Sequence, residues 1–282
     1  MSTNPDENIS GFHDEKKVNI IGYPGDVRDP FITKDDKYLF FDDYNQKGFM
    51  SIFYAEKIDD ITFNFIGELP RIGNEHSDFC PTMDSLNNFY FISRRDLETT
   101  KNATIFTGSF SNNIVDNVRH VSGTIISPDT LDVNFDVNIS YDGKRLLATS
   151  VMFDESYFEY DTDLILAFKS GDLFNLAENT DEIFKNINTS EFNECYAELS
   201  KDGLELFFIR YNLQGLFKAR MFYAKREKTS LPFAEASLIS IPVENDSLVN
   251  ISSPSLSGDG KRLYYQKGQF RKYYNVYMMS RE

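Results

Sequence analysis

The chain has no tryptophan, only two cysteines and only three histidines. Two cysteines, Cys80 and Cys195, are too few for a disulfide scaffold. Both are expected to be buried free thiols, since a reactive thiol needs a cationic neighbour and only His76 lies near Cys80 in sequence. His13, His76 and His120 are far apart and form no metal-spaced pair, so neither a metal site nor a cofactor is expected. No apolar run approaches the roughly 18 residues of a membrane-spanning helix. Met1 to Lys17 is polar and acidic and has no apolar core of a secretory signal. With two free thiols, that favours the cytoplasm, although the sequence does not specify a compartment.

Positive charge is also scarce. The chain carries 29 Lys and Arg against 44 Asp and Glu, a formal net charge of -15, with no basic stripe or arginine cluster. A chain this acidic repels phosphate backbones, which excludes nucleic acid as a partner. No phosphate-cradling glycine loop and no nucleophile elbow is present. The Asp-Gly pairs at Asp142, Asp202 and Asp259 lack the alternating ligands of a calcium loop and read as hairpin turns. The plain meaning of the acidity is solubility. The sharper one is a cation or polyol site lined by carboxylates.

Aromatic residues are plentiful: 26 Phe and 16 Tyr. These fit a pleated, half-buried surface and favour strands. They fall in a repeat. Pro254–Tyr265 reads Pro-Ser-Leu-Ser-Gly-Asp-Gly-Lys-Arg-Leu-Tyr-Tyr, and related segments begin at Pro30, Pro81, Val137 and Ala197. The interval is about 50–60 residues, long enough for a four-stranded blade. In each copy a short strand leads into an Asp-Gly-type hairpin, which supplies positive φ. A strand apolar on both faces follows, such as Leu39-Phe40-Phe41 or Leu206-Phe207-Phe208. A third strand comes after a variable loop, and a weaker fourth in some copies, such as Ala236 to Ile241. The second copy has Leu86-Asn87 where the others carry Asp-Gly or Asp-Asp, so its hairpin is the weakest.

Four strands per repeat predict an all-β, five-bladed β-propeller of four-stranded antiparallel blades. The expected organisation is a flexible segment over residues 1–16 and one propeller over 17–282, with blades starting near 25, 76, 132, 192 and 249. The last copy has no room for a fourth strand, and the strand-like Lys17 to Ile21 is expected to close that blade against Asn275 to Met279. Closure of this kind removes open sheet edges.

The pattern Pro-x-x-Ser-x-Asp-Gly-Lys-x-Leu-Tyr-Phe resembles the TolB-type (WD-like) propeller repeat, most clearly over Asp202 to Leu238. The resemblance covers the chain from about residue 25 onward. It implies a fold and leaves the activity open, because such repeats serve many functions.

In a propeller the innermost strands line a central channel. The residues preceding the repeat starts are Asp29, Cys80, Asp136, Tyr196 and Ser253. Just upstream lie Asp26, Arg28, His76, Asp78, Asp132, Asn134, Asn193, Glu194 and Asn250. They are either solvated channel-mouth residues or a site. The expected ligand contacts are Asp26, Arg28, His76, Asp78, Asp132, Asn193, Tyr196 and Asn250. Arg28-Asp29-Pro30-Phe31-Ile32, with Tyr38 to Phe41, resembles the first blade of five-bladed arabinanase and β-xylosidase hydrolases. That resemblance implies Asp29 as general base, Asp136 (or Asp132) as a pKa-tuning carboxylate and Glu194 as general acid, all at one end of the channel. At Glu194 the chain reads Glu-Cys-Tyr-Ala where the family has Glu-Gly-Pro. Two functions are therefore carried forward: a module that binds a small molecule, a glycan or a protein at the funnel mouth, or a glycan-processing enzyme.

Overall fold

One side-chain clasp holds the hairpin at the head of four of the five repeats. In the computed structural model of the chain, Ser140 Oγ donates to Asp142 Oδ1 (2.7 Å) and accepts from the Arg145 N–H (2.9 Å). The same pair of bonds joins Ser200, Asp202 and Glu205, then Ser257, Asp259 and Arg262, and in the first copy Thr33, Asp35 and Tyr38. The turn needs one left-handed residue. Gly143, Gly203 and Gly260 supply it, and Asp36 (φ +64°) and Asn87 (φ +65°) take the same conformation in the first two copies. In the second copy Asp84 stands where the others have Ser or Thr. Its Oδ1 accepts the N–H groups of Leu86 (2.8 Å) and Asn88 (2.9 Å), so the hairpin forms without Asp-Gly.

The structure describes residues 10–70, 72, 76–95, 105–125, 132–153, 159–212, 218–243, 249–269 and 273–282. The strands are β1 (His13–Lys17) and β2 (Asn19–Ile21), then β3 (Arg28–Ile32), β4 (Tyr38–Tyr44), β5 (Met50–Asp59) and β6 (Thr62–Glu68). The second repeat gives β7 (Asp78–Met83), β8 (Asn88–Ser93), β9 (Ile105–Ser111) and β10 (Ile114–His120). The third gives β11 (Asp132–Ile139), β12 (Arg145–Phe153), β13 (Glu159–Ser170) and β14 (Leu173–Leu176). The fourth gives β15 (Asn193–Leu199), β16 (Glu205–Tyr211), β17 (Arg220–Lys225) and β18 (Ser237–Leu238), and the fifth β19 (Val249–Leu256), β20 (Arg262–Gln269) and β21 (Tyr274–Ser280). Each of the first four repeats folds as an antiparallel four-stranded blade and the fifth supplies three strands of its blade; the first strand of each is innermost, and the five blades form a propeller. Among the described residues one short helix, α1 (Thr180–Phe184), interrupts the strands, and no helix is long and apolar enough to cross a membrane.

The core consists of five separate apolar clusters, one in each interface between neighbouring blades. Between the first two blades, Phe31, Phe40, Ile52 and Tyr54 pack on Met83, Phe89, Phe91 and Phe106. Between the last blade and the first, Tyr264, Val276 and Met278 pack on Ile32, Leu39, Phe41 and Phe63, which closes the ring. The middle strands are buried on both faces because each serves two interfaces. Phe40 faces one neighbour and Phe41 the other. Phe and Tyr fill these interfaces in a chain that has no Trp.

The last blade is completed from the N-terminus, but four residues earlier than expected. β1 pairs antiparallel with β21, with Lys16 opposite Met278 and Lys17 opposite Tyr277. Asn19–Ile21 instead add a parallel fifth strand to β6 of the first blade. The strand-like pattern of Val18, Ile20 and Ile21 is real, but it serves the junction: Val18 and Ile20 lie in the cluster between the last blade and the first. Within the segment expected to be flexible, residues 1–9 lie outside the described residues. Phe12 is fully buried against Phe207, and Glu15 Oε1 accepts from Tyr265 Oη and Lys267 Nζ.

Candidate functional site

Every innermost strand carries a β-bulge at the same place. Three residues on the inner strand span two on its partner between Arg28 and Phe31, Phe79 and Thr82, Asn134 and Val137, Cys195 and Glu198, and Ser252 and Ser255. In four blades a bulge residue is left-handed: Asp29 (φ +42°), Cys80 (+52°), Tyr196 (+51°) and Ser253 (+54°). Left-handed conformations of non-glycine residues are costly and persist only where the surroundings enforce them. A bulge also turns a backbone N–H out of the ladder, and a buried N–H needs another acceptor.

Side chains of the preceding blade supply those acceptors. Gln266 Oε1 accepts from the Asp29 N–H (2.8 Å), Asp42 Oδ2 from the Cys80 N–H (3.0 Å) and Asp136 Oδ2 from the Tyr196 N–H (2.6 Å). Thr149 Oγ1 also donates to Asp136 Oδ2 (2.6 Å). Several polar residues at the channel thus hold its shape.

The bulges surround a central cavity of about 40 Å³, lined by Asp29, Cys80, Asp136, Tyr196 and Ser253 with the residues that follow each. That is room for a few waters at most. Asp29 and Asp136, two of the three carboxylates singled out in the sequence, both line the cavity. Ser253 Oγ donates to Asp29 Oδ1, and Cys80 Sγ lies 3.6 Å from Asp29 Oδ2. Burial pushes the Asp136 carboxyl up to about 6, against the pull of its bonds from Thr149 and Tyr196. Burial, and then the Asp29 carboxylate, push Asp42 well above the ordinary range. Burial and the same carboxylates raise the Cys80 thiol.

Glu194 does not line this cavity. Its carboxylate is fully buried and accepts from Arg210 Nε (2.8 Å), Thr189 Oγ1 (3.0 Å) and the Thr189 N–H (3.2 Å). Burial pushes it up to about 7, opposed by those Thr189 and Arg210 contacts. Asp78 is fully buried in an ion pair with Arg95 (2.9 Å), and Asn193 is buried on β15. His76 is exposed and stands apart from the channel lining. Only the backbone of Asp132 belongs to the described residues. Cys80 and Cys195 are both buried and neither is in a disulfide.

Beyond the bulges, toward the starts of the inner strands, the channel opens into two adjoining cavities of about 360 and 240 Å³. Phe135, Tyr196, Gln266 and Tyr274 line both. The larger also has Arg28, Asp29, Tyr44, Phe79 and Arg94 in its wall, and the smaller has Asn250, Tyr211 and Ser252. Asp26 Oδ2 accepts from Arg28 Nε (2.8 Å), and the Arg28 guanidinium lies between the Tyr44 and Tyr274 rings at 5.5 and 5.4 Å. Phe135 stands 40% exposed in the opening.

At the other end the channel is barred. Lys34 Nζ reaches Glu198 Oε1 across the centre (2.8 Å), and Asn138 Nδ2 donates to Glu198 Oε2. Lys34 and Glu198 side chains are 5% and 0% exposed.

Of the residues singled out by sequence offsets, Asp29, Asp136, Tyr196, Arg28 and Asn250 line the channel cavities. The offsets missed Asp42, Thr149 and Gln266, which stand three residues after Leu39, Leu146 and Leu263 in otherwise apolar strands. That shared polar offset in alternate blades was the available signal. Tyr44, Phe135 and Tyr274 carried no sequence mark that set them apart from the other aromatics.

No sequence family matches the chain, and no curated protein is similar to it in sequence. Solved structures are similar in fold. The complex of BT0996 with RGII matches over 94% of this chain and 91% of its own, with TM-score 0.65 and 11% identity. The catalytic domain of the Coprinopsis cinerea GH62 α-L-arabinofuranosidase matches over 96% and 97%, with TM-score 0.60 and 12% identity. A structure assigned to TolB from Agrobacterium tumefaciens matches over 95% and 79%, with TM-score 0.53 and 12% identity. Both resemblances read from the repeat, TolB-type and glycoside-hydrolase-type, are thus present at the level of fold.

Proposed function

We propose that the funnel mouth binds a polyhydroxylated small molecule, a glycan being the first candidate. One observation carries this: two adjoining cavities share four walls, three of them aromatic, and are floored by polar groups at the bulges. Aromatic faces take the apolar face of a sugar ring, and a few fixed polar groups then orient its hydroxyls. Tyr274, Tyr196 and Phe135 are the stacking faces. Asp29, Arg28, Asn250 and Gln266 are the orienting groups. The names of two similar folds, an arabinofuranosidase domain and an RGII complex, support a glycan as the class to try first.

The test is a glycan array followed by titration calorimetry. Binding is expected, and Tyr274→Ala is expected to weaken it about tenfold, or about 1.4 kcal/mol. Leu86→Ala, exposed and remote from the funnel, should leave it unchanged. Glycan binding insensitive to Tyr274→Ala and Phe135→Ala, or no binding across the array, would remove the funnel as a glycan site and leave a protein partner as the occupant.

One observation favours a second use of the same place: Asp29 and Asp136 share the central cavity, and Asp136 is tuned toward neutrality. In that reading Asp29 is the base, Asp136 its tuning partner and Glu194 the acid. Glu194 would first have to leave Arg210 and Thr189. Hydrolysis lost in both Asp29→Asn and Glu194→Gln would support it.

A further inference from the structure

The three groups at the junction of the first two blades form an unusual set. One oxygen of Asp29, one of Asp42 and the Cys80 sulfur lie within 4.8 Å of one another. They come from the inner strand β3, the second strand β4 and the inner strand β7, so the ring itself brings them together. Asp42 is fully buried. Its Oδ2 holds the Cys80 N–H, while its Oδ1 is buried and meets no hydrogen-bond donor among the described residues, the Asp29 carboxyl lying within hydrogen-bonding reach of the Asp42 side chain. Asp29 is half-buried, and a second carboxyl group this close to it in a buried position favours a proton or a cation between the two. The Arg28 guanidinium beside them is already paired with Asp26 at 2.7 Å.

We infer that Asp29, Asp42 and Cys80 form a binding site for a thiophilic divalent cation of the zinc class. The donor set argues for that class. Magnesium and calcium take oxygen ligands, whereas zinc accepts thiolate and carboxylate together. The spacing argues for it too. A tetrahedral ion with metal–sulfur and metal–oxygen bonds of about 2.3 and 2.0 Å spans about 3.5 Å from sulfur to oxygen. Cys80 Sγ and Asp29 Oδ2 already stand 3.6 Å apart. Asp29 and Cys80 also border the central cavity, which has room for a water as fourth ligand. Ser253 Oγ and the Cys80 N–H orient the two carboxylates from behind, the kind of support that fixes ligand direction in metal sites. Binding converts the thiol to a thiolate and releases its proton to solvent. The site does not depend on what the funnel binds, but an ion there would make Asp29 a ligand rather than a free base.

The test uses the full chain after chelator treatment. Zinc titration is expected to fill one site, release a proton and raise Tm. Cobalt is expected to give a thiolate-to-cobalt charge-transfer absorption in the near ultraviolet. Cys80→Ser should abolish that band and Cys195→Ser should keep it. Asp42→Asn, isosteric and expected to fold, should weaken zinc binding at least ~100-fold. If it does not fold, the wild-type stoichiometry and the cobalt band still decide. No zinc uptake by the wild type, or a cobalt band that survives Cys80→Ser, overturns the inference. Zinc-free wild type together with a more stable Asp42→Asn overturns it in favour of a shared proton.

Discussion

Asp136 has a structural duty that does not depend on any ligand. It is 4% exposed and holds both the Thr149 hydroxyl and the bulge N–H of the next blade. Its carboxyl is raised from an ordinary 3.8 to about 6, so the folded state favours the neutral acid. The stability this confers is full below about 3.8 and is lost as the pH rises through about 6. A rise of that size corresponds to about 3 kcal/mol at most. Asp136→Asn should therefore gain stability relative to wild type between pH 4 and 7, approaching ~3 kcal/mol less the cost of any weakened hydrogen bond. Urea titrations at both pH values check this, and a difference that does not change with pH would refute it. At this scale the sequence marked Asp136 by its offset from the repeat. Which bonds it makes depends on Thr149 and Tyr196, which reach it from another strand and another blade.

The closing strand shows why an element can be foreseen in kind and misplaced in position. β1 reads His-Asp-Glu-Lys-Lys and is mostly exposed, as an outer blade strand should be, so it has no apolar alternation to reveal it. The more strand-like Asn19–Ile21 went to the first blade instead. What anchors β1 is Phe12 beside it, buried between Phe207 and the Arg281 guanidinium, with Glu15 bonded to Tyr265 and Lys267. Phe12→Ala should cost about 3–5 kcal/mol, the usual range for emptying a buried Phe site. Deleting residues 1–17 should cost more, because a ladder is lost as well. Equal melting temperatures for wild type and Phe12→Ala would show that β1 is dispensable. The hairpins, by contrast, were legible from Ser-x-Asp-Gly alone, because the clasp and the positive φ are local chemistry. The second hairpin formed where that signature failed, because Asp84 supplies the same acceptors from one side chain.

Across the whole molecule, the channel is open at one end and barred at the other. Lys34 and Glu198 join the first and fourth blades through a buried ion pair. Removing one partner of such a pair leaves a buried charge unpaired, which costs about 3–5 kcal/mol. Glu198→Gln should lose that much, and the double change Lys34→Met with Glu198→Leu should recover most of it, since apolar replacements of a buried pair are often neutral. A double variant no more stable than Glu198→Gln would show that the pair holds the ring by something other than charge. The funnel residues should be unaffected, because the strut lies beyond the bulges.

Five repeats of apolar alternation and local turn chemistry were enough to determine the blades, their number and the need for an N-terminal strand to close them. Each of those follows from interactions within one copy or from counting copies. The site was decided elsewhere. Asp29, Asp42 and Cys80 meet only because two blades are packed side by side, and the bulges that carry Asp29 and Cys80 lie where the five inner strands converge. Glu194 lies two residues before the left-handed Tyr196, yet it is turned to Arg210 and Thr189 and away from the cavity. A period in sequence sets which residues start each inner strand. The direction each side chain takes is set by the bulge, the neighbouring blade and the burial that closing the ring imposes.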